Sequence, residues 1–235
     1  MPNKARREIT RWLIVIIAIL LIRVLLIEAY IIPTPSMEST LLIGDAVLVN
    51  HLAGGVNLPF TRITLIPGRM PGRGELVVFR YPYENRDYVK RCVAMAGDTV
   101  EITDKILFVN ARPVPEPYVR HDDSLVYPGT YTEPGHFQSE WEQGKLAALS
   151  DTRDIRDNFG PVVVPKDHVF VMGDNRDNSF DSRFWGPLHR NRLRGRPVFI
   201  YFSFDPGVEP TSALDIISFW KWKKIRWNRI FHVPF

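Results

Sequence analysis

The chain has 235 residues, of which 45% are hydrophobic and 24% charged, with 19 prolines, 15 glycines and a net charge of +4; that is room for one sizeable domain or two small ones beside a membrane anchor, and it excludes a long disordered protein. The excess of basic over acidic residues sits at the two ends and leaves the body closer to neutral, which speaks against a nucleic-acid partner and for a membrane surface. A single cysteine, Cys92, excludes an internal disulfide, and six scattered histidines without an HExxH or a close pair give no reason to expect a metal or other cofactor.

Residues 1–11 carry Lys4, Arg6, Arg7 and Arg11 against Glu8 and read as a basic cytoplasmic tail. Residues 12–32 are mostly apolar, broken by Arg23 and Glu28; 21 residues make about 31 Å of helix, the thickness of a bilayer core. The span predicted is a single transmembrane anchor over 12–32. A start nearer Ile9 moves Arg23 and Glu28 toward the far interface, which lowers the cost of the arginine. No A-x-A-like site follows the apolar run, so the segment reads as a retained anchor and not a removed leader. Positive residues before the span put the N-terminus in the cytoplasm and the rest of the chain on the other side of the membrane.

After Pro33 the pattern changes to short alternating runs. Residues 45–50, 75–81, 87–95, 98–103, 105–109, 168–173 and 196–204 read as strands, with Gly, Pro, Asn and Asp between them. The body is therefore expected to be mostly β, with core parts at 33–109 and 166–235. Residues 110–165 are rich in proline, with a short helix near residues 137–149, and read as an inserted, non-catalytic subdomain. The end of the chain, 213–235, mixes Trp220, Trp222 and Trp227 with Lys221, Lys223, Lys224, Arg226 and Arg229. Two readings stand: a final strand with a solvated basic face, or a contact with the lipid headgroups.

Three segments carry chemistry: PTPSMESTL (33–41), YVKRCVAMAGD (88–98) and GDNRDNSFDSRFWG (173–186). Ser36 is a weak nucleophile unless a base adjoins it, and none of the three segments contains histidine. Lys90 is the candidate base. Alternation puts it on one face with Tyr88, Cys92 and Ala94, which suggests burial, and only a desolvated lysine is neutral enough to take a proton. The competing reading is a lysine guarding a sheet edge. In the third segment, Asp174, Arg176 and Asn178 have EF-hand spacing, but Ser179 stands where glycine is needed and Trp185 where Glu is needed. The segment reads better as an ion-paired scaffold that holds a site rigid.

Together the anchor, these three segments and GDAVLVN (44–50) resemble the type I signal peptidase family. The resemblance implies twisted antiparallel sheets forming a catalytic core, with a smaller inserted region. It implies Ser36 as nucleophile, Lys90 as general base, and Thr34 with the Ser36 N–H as the oxyanion hole. It implies Ser179 as the residue orienting the lysine, Asp181 and Arg183 as a structural ion pair, and Tyr30, Ile32, Leu41 and Val89 as lining the substrate pockets. The implied reaction removes signal peptides from secreted preproteins after small residues, at the cell membrane, with no cofactor; lipid and the secretion machinery are the implied surroundings. The chain departs from the family's pattern at Thr34 (serine), Pro35 (glycine), Ser39 (proline) and in RCVAMAGD, which lacks a proline-bearing turn. Rival readings are a Ser/Lys protease of the self-cleaving repressor kind, a non-enzymatic anchored β protein, and a Ser-His-Asp site using His168 or His189.

Overall fold

The computed structural model of the protein describes residues 6–16, 27–57, 64–129, 134–148, 152–206 and 225–234. Residues 6–16 form a helix, α1. The strands are β1 (Ile27–Ile31), β2 (Asp45–Asn50), β3 (Gly55–Asn57), β4 (Thr64–Pro67), β5 (Leu76–Arg80), β6 (Asp87–Met95), β7 (Thr99–Thr103), β8 (Ile106–Val109) and β9 (Arg112–Pro113). Helix α2 (Pro134–Glu142) follows, then β10 (Phe159–Val163), β11 (His168–Met172), α3 (Ser182–Trp185), β12 (Leu188–His189) and β13 (Leu193–Ser203). Among the described residues, seven strands form one antiparallel sheet in the order β1-β2-β13-β5-β6-β11-β12, and four form a second, β10-β7-β8-β9.

The first sheet follows from sequence alternation. Val47 and Val49 of β2 point into the core while Leu48 and Asn50 are half-buried, the period-2 pattern of a sheet with one covered face. In β6 the alternation ends: residues Lys90 to Ala94 are all buried, because the second sheet and α2 cover the side that a two-layer sheet would leave wet. Val93, Ala94, Phe170 and Met172 pack there with Val100, Ile102, Leu107, Trp141 and Phe159. A bulge between Phe170 and Val171 lets β11 stay paired with β6 while the side chains change faces. Two-residue turns join β7 to β8 through Asp104 and Lys105 and β8 to β9 through Asn110 and Ala111, all four at positive φ, as the twist of tight hairpins demands.

Four expectations need correction. Of the anchor expected over 12–32, residues 17–26 lie outside the described residues, and 27–31 are the edge strand β1, paired with β2 from Ile27↔Asn50 to Ile31↔Ala46. IEAYI continues the apolar run without a break, but its β-branched residues find a partner strand, which fixes them as extended chain. No described helix is long and apolar enough to cross a membrane. The second sheet begins before residue 110: β7 and β8, expected in the core, pair with β10 and β9. The helix near 137–149 is α2 with a separate 3-10 turn at Lys145–Ala148. Finally, Arg226 and Arg229 are neither a solvated face nor free for lipid. Arg229 donates to Asp45 at 2.5 Å and to the Thr40 carbonyl at 2.9 Å, while Arg226 donates to the Ser203 hydroxyl at 2.9 Å. Among the described residues of this end, Ile225 makes an isolated bridge to Phe204 and no strand is formed. Trp220, Trp222, Lys221, Lys223 and Lys224 lie outside the described residues.

Candidate active site

The turn carrying Ser36 is an excursion pinched at its base. Ile32 N–H donates to the Asp45 carbonyl and Gly44 N–H to the Ile32 carbonyl, both at 2.9 Å, so residues 33–43 leave and rejoin the sheet at one point. Gly44 has φ +86°, and a Cβ there would lie 2.1 Å from the Phe204 carbonyl; glycine is required. Within the excursion, Thr34 is extended and Pro35 opens a 3-10 turn, Pro35–Met37, suited to proline's fixed φ. Met37 and Leu41 anchor the turn in the core with Ile32, Val47, Leu76 and Ile200. Ser39 has φ +109°, a conformation closed to the proline that the resembled motif carries at this position.

Lys90 comes from β6, opposite Val77 of β5. It sits in an interior strand and is only 2% exposed, which removes the edge-lysine reading. Its Nζ donates to Ser36 Oγ at 2.5 Å, and Thr34 Oγ1 lies 3.4 Å from the same Oγ. Burial is the main cause that lowers the Lys90 pKa to about 8; Asp181 and Asp174 pull it up, and Arg183 presses it down. The two carboxylates are themselves occupied. Asp174 takes two bonds from Arg91, at 2.8 and 2.7 Å, and one from the Thr40 hydroxyl at 2.5 Å. Asp181 takes two from Arg183, both at 2.9 Å, and one from Ser179 Oγ at 2.7 Å. Burial pushes the Asp181 carboxyl up, but Arg183, Lys90 and Ser179 outweigh it and hold it below the usual range. Neither anion is free to make a full ion pair with Lys90, so desolvation prevails.

Gly173 closes the arrangement. A Cβ at this position would stand 2.3 Å from Ser179 Oγ and 2.4 Å from the Ser36 carbonyl, so only glycine lets the loop 173–181 lie this close to the nucleophile turn. Its N–H donates to Asp181 at 3.1 Å, and the Asn175 N–H donates to the Ser36 carbonyl at 3.2 Å. Ser36, Lys90 and Thr34 thus meet at one point, with Ser179, Asp181 and Arg183 behind them; Ser179 spends its proton on Asp181. His168 and His189 pack on each other across β11 and β12, ring centroids 4.8 Å apart.

Beside Ser36 runs a groove of about 220 Å³ between the end of β1 and β6, lined by Tyr30, Ile32, Thr34, Ser36, Met37 and Val89 among others. Leu41 is the exception among the expected lining residues: it is wholly buried in the core below the turn. Spacing along a turn cannot distinguish a side chain facing a groove from one facing the core beneath it. Sequence reasoning also missed Arg91, Thr40, Gly173 and Ser39, and Asp87, which accepts from the Tyr30 hydroxyl across the groove at 3.1 Å. An arginine beside Lys90 in an apolar strand was the one available sign.

A family model described as "Signal peptidase, peptidase S26" matches residues 6–202. A protein named "Signal peptidase I" from Pseudomonas aeruginosa is 40% identical over 174 residues, covering 73% of this chain and 60% of that protein. This chain therefore spans about three fifths of that relative's length. A protein of the same name from Aquifex aeolicus is 33% identical, covering 88% of this chain and 89% of that one. Among solved structures, a signal peptidase I from Enterococcus faecalis aligns with 55% of this chain and 97% of its own, at 24% identity and a TM-score of 0.37.

Proposed function

The chain belongs to the signal peptidase family, peptidase S26, and from that membership we propose that it is a membrane-bound serine endopeptidase that removes signal peptides from exported preproteins by a Ser36 nucleophile and a neutral Lys90 base. The observation that carries the reading is the 2.5 Å contact between Lys90 Nζ and Ser36 Oγ with the lysine shut off from water. With a pKa of about 8, about a fifth of Lys90 is neutral at pH 7.4, against about one in a thousand for a free lysine.

Neutral Lys90 takes the Ser36 proton as Oγ attacks the peptide carbonyl. The Ser36 N–H and the Thr34 hydroxyl donate to the oxyanion, a contribution of about 3 kcal/mol. The lysine then gives its proton to the leaving amine, and takes one from the water that hydrolyses the acyl-enzyme. Asp181, paired with Arg183, and Ser179 hold the lysine's surroundings. The narrow groove lined by Tyr30, Ile32 and Val89 favours small side chains before the cut, as in an A-x-A-like site. The anchor reading draws support from the second half of α1: Trp12 to Ile16 are continuously apolar and all stand exposed, Trp12 by 66%, a surface that suits lipid and not water. The basic residues before this apolar run, Lys4, Arg6, Arg7 and Arg11, favour a cytoplasmic N-terminus, with the catalytic body across the membrane.

The test is cleavage of a model preprotein by detergent-solubilised protein from pH 6 to 11. Wild type should gain activity along a limb centred near the Lys90 pKa, and Ser36→Ala and Lys90→Ala should be inactive while folded. Full activity in Lys90→Ala would end the Ser/Lys reading.

A further inference from the structure

The inserted region, read from sequence as non-catalytic, crosses behind the site. Residues 116–123 run as a strap over both loops that hold the reacting groups. Along the 173–181 loop, the Arg120 N–H donates to the Asp174 carbonyl at 2.9 Å and the Arg176 N–H to the Arg120 carbonyl at 3.0 Å. Glu116 pairs with Arg176 at 2.6 Å, and Asp122 accepts from the Asn175 amide at 2.9 Å. On the nucleophile turn, Ser39 Oγ donates to the Tyr118 carbonyl at 2.5 Å, and Arg120 lies 3.4 Å from Glu38. On the base strand, the Tyr118 ring covers the Arg91 guanidinium at 3.8 Å. Arg91 follows Lys90 in β6 and joins Asp174 to Thr40.

We propose that this strap positions the nucleophile, with Ser39 and Tyr118 as the residues through which it acts. Ser39 is held at φ +109°, a region that strains a side-chain-bearing residue and persists only where neighbours impose it. The hydrogen bond to Tyr118 is such a neighbour, three residues from Ser36. The Tyr118 ring presses Arg91 onto Asp174 and Thr40, and so ties the far side of the same turn to the strand that carries Lys90. Displacing an attacking group by about 1 Å can cost a hundredfold in rate, so contacts of this kind act on the reaction even though they touch no substrate. Tyr118 is absent from the groove lining, so substrate binding should not depend on it. The inference rests on the Ser36–Lys90 reading above.

The test uses the full chain in detergent and a synthetic peptide carrying an Ala-x-Ala site, with kcat and KM measured separately for wild type, Ser39→Ala, Tyr118→Ala, Tyr118→Phe and Lys90→Ala, and thermal unfolding followed in parallel. Ser39→Ala and Tyr118→Ala should lose about tenfold or more in kcat with KM within about twofold. Tyr118→Phe, which keeps the ring, should stay near wild type. Tyr118→Ala keeps the backbone carbonyl that Ser39 binds and removes only the ring over Arg91, so the two variants break separate contacts and the double variant should lose about the product of the two. Loss in KM with kcat unchanged, equal loss in Tyr118→Phe and Tyr118→Ala, or a kcat loss that vanishes on cooling below the variant's unfolding range would overturn the strap's role. If Lys90→Ala is inactive while both strap variants match wild type, the strap alone fails. An active Lys90→Ala shows that the Ser/Lys reading has failed instead.

Discussion

Lys90 is held in a state that opposes folding. In the unfolded chain it keeps its proton to pH 10.4 or so; folded, it gives the proton up near pH 8. Between those values the unfolded chain binds more protons, so stability rises with pH across that window, and below it the folded state carries a penalty of about 3 kcal/mol. Lys90→Met, which fills much of the same volume without a charge, should therefore raise the unfolding temperature at pH 7, with the advantage shrinking as pH climbs from 8 toward 10.5. A Met variant less stable than wild type at pH 7 would mean that the lysine is charged and satisfied in the folded protein. That Ser36 and Lys90 meet was legible only through the family resemblance, because a serine in a proline-rich turn is commonplace and a lone strand lysine reads as well as an edge guard. Leu41 was misassigned because its burial depends on what lies beneath the turn. The link between Ser39 and Tyr118 left no trace, since its partners are 79 positions apart and one of them contributes only a backbone carbonyl.

Among the elements, β6 and the 173–181 loop define the site, and Gly173 is where they meet the nucleophile turn. Gly173→Ala should cut kcat by about a hundredfold and cost about 1–3 kcal/mol of stability, because the added carbon meets the Ser36 carbonyl, a backbone atom that cannot swing away. Gly72→Ala makes a fair control: its nearest neighbour would be a Glu75 carboxylate oxygen at 3.6 Å, and activity and melting temperature should hardly move. Equal behaviour of the two variants would mean that the loop stands further from Ser36. The seven runs rich in β-branched and apolar residues, which became β2, β5 to β8, β11 and β13, could be read from sequence. β1 could not, because its apolar residues continue the preceding run; nor could β9, β10 and β12, which are too short or too rich in proline and glycine for a period to emerge.

Across the whole molecule, β1 and the C-terminal tail return to the same part of the first sheet. β1 pairs with β2, and the C-terminal tail adds to β13 through Phe231 N–H to the Ile200 carbonyl at 2.7 Å and Ile200 N–H to the His232 carbonyl at 2.8 Å. What fixes the tail is Asp45, fully buried at the base of the nucleophile excursion. It accepts from Arg229 at 2.5 Å and from the Ser203 hydroxyl at 2.6 Å. Removing Arg229 leaves that carboxylate in the interior with only Arg226, 3.6 Å away, as a cationic partner among the described residues, and removes the bond to the Thr40 carbonyl. A buried anion stripped of its main partner costs about 3–5 kcal/mol, so Arg229→Ala should lower the unfolding free energy by that amount, read as a lower denaturant midpoint with the slope unchanged. Arg229→Lys keeps the charge but not the two-pronged geometry and should fall between. Because Thr40 belongs to the Ser36 turn, kcat should fall in Arg229→Ala at temperatures where the protein remains folded. A chain lacking residues 225–235 should show the same two losses. An unchanged midpoint would mean that the tail does not bind Asp45 in solution, and that the nucleophile turn is supported from within the sheet alone.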